Sequence, residues 1–325
     1  MLGKGVVKVI FIIVLLTGAC AGFTSGEVAA RRADGDFVLA GEWAVEGTKI
    51  GDFAGLRCIA VAPYGYVYVT DELNDRVQYF TREGSFRGMW GQRGSAPGEF
   101  IDPHGIAVGP NGDVYVVDSG NFRVQRFSAT GIFLDSWSGG PGPGEYTTPT
   151  DVAVAPDGTV YGVCPTHIRY FTADGSLKGI WDITPYADNE LKCFALAVGV
   201  GRDGTVYVTE AYGGHVLCFS RTGSFLAKWG VKGFGPGELT EPNGIAVGPG
   251  DSVYVLSSGL RKEKITHFGA DGSFLGEWWP KAEEGSRFGN IGRVGLAVGP
   301  DGTLYIADQG RGVVQYYRPV VKTDG

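Results

Sequence analysis

The stretch from Pro103 to Phe127, PHGIAVGPNGDVYVVDSGNFRVQRF, returns with variations along most of the chain, and this repetition limits the possible folds more than any other feature. It holds three short apolar runs, Gly105 to Val108, Val114 to Val117 and Val124 to Phe127, separated by Gly, Pro, Asn and Asp clusters that mark turns. Registered on the tyrosine of the second run, the copies fall at Tyr68, Tyr115, Tyr161, Tyr207, Tyr254 and Tyr305, spaced by 47, 46, 46, 47 and 51 residues. Each third run is followed by a Gly turn and a fourth run ending in tryptophan, as in Ile132 to Trp137. Four strands per period of forty-odd residues is the pattern of a propeller blade, so the spacing predicts an all-β, six-bladed β-propeller with four-stranded antiparallel blades.

The two ends of the repeat array are complementary. Asp36 to Trp43 reads as a fourth run with no repeat in front of it, and the last copy stops after its third run, Val313 to Tyr317. The N-terminal strand is therefore expected to complete the sixth blade and close the ring, which removes an open sheet edge. First runs such as Ile106-Ala107-Val108 and Leu296-Ala297-Val298 are small, as strands crowded round an axis require, while the recurrent Tyr and Trp positions are expected to fill the space between blades. The domain plan is an export signal over 1–23, a linker over 24–35, the propeller over 36–319 and a tail over 320–325.

The repeat P-x-G-I-A-V-x-P-x-G-x-V-Y-V-x-D-x-x-N-x-R-V-Q-x-F resembles the NHL repeat. The loops Pro97-Gly98-Glu99-Phe100, Pro143-Gly144-Glu145-Tyr146 and Pro236-Gly237-Glu238-Leu239 are similar to the blade connections of that family. The resemblance implies the ring and leaves the activity open, because NHL propellers include interaction modules, extracellular sensors, RNA binders and a zinc-dependent amidating lyase.

Lys4 and Lys8 precede an apolar run, Val9 to Leu16, and then Gly18, Ala19 and Ala21, the layout of a secretory signal. Thr17-Gly18-Ala19-Cys20 resembles a lipobox, which would make Cys20 a lipidated first residue and attach the chain to a membrane. Ala19-Cys20-Ala21 is alternatively an ordinary cleavage site. The apolar stretch to Phe23 is shorter than the ~20 residues a spanning helix needs. The expected location is extracellular, periplasmic or anchored on the outer side of a membrane. The formal charge of −7 becomes about −9 without residues 1–19, and no basic run is present, so a nucleic-acid partner is not expected.

Function is expected on the face bearing the long connections, where the residue before each first strand forms a ring round the channel mouth: Arg57, His104, Thr150, Phe194, Asn243 and Val294. The resemblance implies that an amidating lyase would hold zinc here through three histidines in Pro-His motifs. Only Pro103-His104 matches, and Thr150, Phe194, Asn243, Val294 and Arg57 do not replace an imidazole. Tyr212 resembles the lyase's functional tyrosine by position alone.

Asp71, Asp118, Glu210 and Asp308 end second strands, and cross-hairpin pairs Asp71–Arg76, Asp118–Arg123 and Glu210–His215 are the expected arrangement. Convergence of these carboxylates near the axis, where calcium would be tolerated, is the alternative. No G-x-S-x-G elbow occurs. Cys58, Cys164, Cys193 and Cys218 lie in an exported domain, and Cys164 with Cys193 is the pair a bridge would join. Together these features predict a non-catalytic binding module for a protein, peptide or glycan, with Arg57, His104, Thr150, Phe194, Asn243 and Tyr212 as its contact residues and no cofactor required. A metal-dependent propeller lyase or hydrolase, using zinc or calcium at the mouth, is the alternative.

Overall fold

A computed structural model describes residues 37–44, 47, 49–138, 149–188, 193–258, 263–280 and 295–320. The expected export signal with Cys20, the linker, the Pro143 loop, Val294 and residues 321–325 lie outside the described residues. Six four-stranded antiparallel sheets are present. From first to sixth they are β2 to β5 (Leu56–Val61, Val67–Asp71, Arg76–Phe80, Phe86–Trp90), β6 to β9 (Pro103–Val108, Val114–Asp118, Arg123–Phe127, Phe133–Ser138), β10 to β13 (Asp151–Val154, Val160–Val163, His167–Phe171, Leu177–Asp182), β14 to β17 (Ala195–Val200, Val206–Glu210, His215–Phe219, Phe225–Trp229), β18 to β21 (Pro242–Val247, Val253–Ser258, Glu263–Phe268, Phe274–Trp278), and β22 to β24 (Leu296–Val298, Leu304–Asp308, Val313–Pro319) with β1 (Phe37–Trp43).

The ring closes as the sequence requires. β1 pairs with β24 from Phe37 opposite Pro319 to Trp43 opposite Val314, and the first strands pack in order round the axis until β22 lies beside β2. Pro319 rests against Gly302, the glycine of a short turn, so both ends of the propeller leave from the short-turn face, opposite the long connections.

The repeated tyrosine has two roles. Tyr68, Tyr115, Tyr161, Tyr207 and Tyr305 are fully buried, and three of them donate their hydroxyl to the third turn of the next blade: Tyr68 to the Ala129 carbonyl at 2.8 Å, Tyr161 to Arg221 at 3.1 Å and Tyr115 to Ala173 at 3.5 Å. The same turns receive the tryptophans. A Cβ on Gly131, which has φ +87, would stand 2.5 Å from the Trp90 ring, so glycine is required there by both conformation and space. Tyr68→Phe removes one inter-blade hydrogen bond and strands a carbonyl, with an expected loss of about 1 kcal/mol, seen as a lower denaturant midpoint at unchanged slope.

The signature D-x-x-N-x-R-V-Q is a clamp on the long connections. Asp118, fully buried, accepts from the Ile101 N–H at 2.8 Å, the Asn121 amide at 2.9 Å, Arg123 Nε at 2.7 Å and Gln125 Nε2 at 2.9 Å. Arg123 then donates to the carbonyls of Ser95, Ala96 and Glu99, and Gln125 to Glu99. Asp71, Asn74, Arg76 and Gln78 repeat the arrangement in the first blade, where Arg76 and Gln78 both reach the Asp52 carbonyl. Glu99 completes its own turn by accepting from the Ala96 N–H and from Gln92, and those bonds hold its carboxyl below the ordinary range.

Two expectations are corrected here. Glu210 and His215 face each other in register but do not form the expected pair: Glu210 accepts backbone N–H groups of Tyr212 and Gly213, and His215 Nε2 lies 2.6 Å from Asp188 of the preceding connection. Cys164 and Cys193 are not bridged, and none of the four described cysteines is in a disulfide. Their surroundings differ: the Cys164 thiol is next to Arg169, while Cys193 packs among Trp181, Ile183 and Ala195. Burial pushes all four thiols up to about 12, with the Asp151 charge adding to the effect at Cys58. Alkylation by iodoacetamide at pH 8 is therefore expected to be slow in the native protein and rapid after unfolding, which mass spectrometry of the modified peptides would read.

Candidate functional site

The inner strands begin at the loop-rich face, and their first residues surround a small axial recess lined by Arg57, Cys58, His104, Thr150, Asp151 and Asn243, with the backbone at Gly105, Gly244 and Gly295. The strands approach closely because of these glycines. A Cβ on Gly105 would meet the Asp151 Cα at 2.6 Å, and one on Gly295 the Cys58 Cα at 2.8 Å.

Four of the residues picked out in the sequence, Arg57, His104, Thr150 and Asn243, meet at this recess. Phe194 and Tyr212 do not line it. They pair with each other, ring centroids 5.8 Å apart, and Tyr212 is 53% exposed on the same face. Thr150 uses its hydroxyl inward, within 3.0 Å of the Leu196 carbonyl and 3.2 Å of Val163. It is a structural tie more than a contact group.

Three residues at the site were not anticipated. Glu72, in the turn after β3, lies between Arg57 and His104 at the mouth, with Oε2 3.3 Å from Arg57 Nη1 and Oε1 3.4 Å from His104 Nε2. Asp151 accepts the Val198 N–H at 3.1 Å and stands 4.0 Å from the Cys58 sulfur. The Cys58 N–H donates to Thr70, whose hydroxyl donates to the His104 carbonyl at 2.7 Å, so a neighbouring blade fixes the backbone of His104. Glu72 varies between repeats, and only its place after the Asp of the signature could have pointed to it.

The face also exposes apolar side chains. Leu73, Phe122 and Tyr212, from the turns between second and third strands of three blades, are 68%, 46% and 53% exposed. Phe122 holds φ +56, in a place where other blades have Asp75, Gly214 or Gly312.

The donor set does not suit the metals considered. Among the described residues no three His, Cys, Asp or Glu side chains come together to hold an ion. At the mouth His104 is engaged with Glu72, and the Cys58 thiol is held protonated by burial and by Asp151, which makes it a poor zinc ligand. Asp71, Asp118 and Glu210 each accept loop N–H groups of their own blade, and Asp308 accepts the Arg311 N–H at 3.2 Å. His167 and His267 are elsewhere, the former bonded to Arg169 and the latter stacked on Tyr254 at 4.4 Å.

Comparison with known proteins agrees with this architecture. Residues 100–127 match the NHL repeat, and residues 201–279 match a family described as a 6-bladed beta-propeller. The chain is a six-bladed propeller with an NHL repeat at residues 100–127. No curated protein matches the sequence of this propeller. Among solved structures it is similar to a streptogramin B lyase, at 15% identity and TM-score 0.60 over 88% of this chain and 98% of that one. A gluconolactonase from Xanthomonas campestris matches at 16% and 0.61 over 91% and 94%. A catalytically inactive virginiamycin B lyase from Staphylococcus aureus with quinupristin matches at 16% and 0.58 over 85% and 82%. At these identities the likeness is one of fold.

Proposed function

We propose that this NHL-repeat propeller is a binding module that takes a protein, peptide or glycan at its channel mouth, outside the cytoplasm. The observation that carries the reading is the convergence of Arg57, His104 and Asn243 on one recess, with exposed Leu73, Phe122 and Tyr212 on the same face. Charged, hydrogen-bonding and apolar groups fixed on a rigid scaffold are suited to recognition. The sequence of residues 1–23 supports export, with or without a lipid anchor at Cys20. Mass spectrometry of the mature N-terminus distinguishes a lipidated Cys20 from free secretion.

The test is a glycan array and a peptide library probed with the wild type and with Arg57→Ala/Asn243→Ala. Specific ligands that the double variant loses support the module. A second reading, a lyase or hydrolase, is favoured by the fold shared with streptogramin B lyase and gluconolactonase. Turnover of a streptogramin or an aldonolactone that needs added divalent metal and disappears in His104→Ala would replace the binding reading.

A further inference from the structure

We propose that the mouth is a carboxylate-binding site and that Arg57 is the group that takes the ligand's carboxylate; this rests on the binding-module reading and narrows its ligand. The argument begins with how arginines on this face are used. Arg76 spends its donors on Asp71 and on the Lys49 and Asp52 carbonyls, and Arg123 on Asp118, Ser95, Ala96 and Glu99. Arg57 is as well enclosed, at 13% side-chain exposure, yet its described partner is Glu72 alone, at 3.3 Å. That is longer than the 2.7 and 2.9 Å of the two structural pairs and longer than the roughly 2.7–2.9 Å of a tight charge-assisted bond.

A guanidinium carries five N–H donors in a planar fork. With a single loose contact spent on Glu72, most of the fork of Arg57 remains for whatever enters the recess it lines. A planar carboxylate fits such a fork through two parallel hydrogen bonds. His104 and Asn243 stand round the same recess. Asp151 in the wall and Glu72 beside it repel a dianion such as phosphate more strongly than a monoanion such as a carboxylate. Among the ligand classes of the binding-module reading, a single carboxylate is carried by a hexuronate sugar or by the free C-terminal residue of a peptide.

The experiment titrates the purified protein by calorimetry with D-galacturonate against D-galactose, and with an acetylated dipeptide acid against its C-terminal amide. The expected result is that one acid binds at least about tenfold more tightly than its neutral counterpart, and the pair that discriminates identifies the source of the carboxylate. Arg57→Ala is expected to lose that preference and Arg57→Lys to recover part of it, with thermal melts confirming that both fold. Arg311→Ala, which removes a rim pair with Glu42, is expected to bind as the wild type does. Equal binding of acid and neutral forms, no binding of either acid, or an Arg57→Ala variant that keeps the preference would overturn the proposal. If array ligands still bind at the mouth in any of those cases, the binding module stands and only its carboxylate ligand is lost, whereas metal-dependent turnover removes both.

Discussion

Deleting residues 36–43 is expected to lower the melting temperature by on the order of 10 °C or more and to produce soluble aggregates on size-exclusion chromatography. The strand lost is β1, the outer strand of the sixth blade. With it go Phe37, stacked on Trp278 at 4.7 Å, Leu39, packed in the same cluster, and Trp43, which lies against Phe80 of the first blade at 4.5 Å. Removing one large aromatic from a packed environment costs about 3–5 kcal/mol, and for domains of this size each kcal/mol is worth about 2–4 °C. The deletion also bares the edge of β24, a row of unpaired backbone groups open to another chain. A deletion variant that melts with the wild type and stays monomeric would show that the ring does not depend on this closure.

The second large effect is expected at Asp118. Its carboxylate is fully buried and organises four donors, one of which, Arg123, holds the connection between the first and second blades through three carbonyls. Asp118→Ala leaves a guanidinium and three N–H donors without their acceptor, and breaking a buried pair from one side costs about 3–5 kcal/mol. Asp118→Asn keeps an acceptor oxygen and is expected to lose less. Chemical denaturation of both variants beside Glu99→Gln, a half-buried position in the same loop, separates the clamp from a general effect of charge. If Asp118→Ala shifts the midpoint no more than Glu99→Gln does, the clamp contributes little.

How much of this was legible in the sequence depends on repetition. The tyrosine register, the tryptophan runs and the D-x-x-N-x-R-V-Q signature recur, so each copy tests the others, and blade number, strand order and ring closure follow from them. Asp71–Arg76 and Asp118–Arg123 could be read because both partners belong to the repeat. Residues that act alone were not legible in this way. His215 looked like the partner of Glu210 because the repeat placed them opposite, but Asp188, from a connection with no counterpart in other blades, reaches it first and also takes Lys228 at 2.7 Å. The mouth divides along the same line. Arg57, His104, Thr150 and Asn243 share a repeat position and were found, while Phe194, at that position too, turns to Tyr212 because its blade is entered by a different connection. Glu72, Cys58 and Asp151 matter through neighbours in other strands, which no spacing in the chain records.

The ladder between β1 and β24 has one further consequence, concerning force. Phe37 lies opposite Pro319, so the two chain ends leave side by side from the same end of an antiparallel pair. Pulling them apart loads the hydrogen bonds one rung after another, as a zip opens, instead of all together in shear. A propeller held at a surface by its first residues and tugged through its last would yield at this seam under small loads, whereas a tug applied through a partner seated in the mouth bypasses the seam's free end.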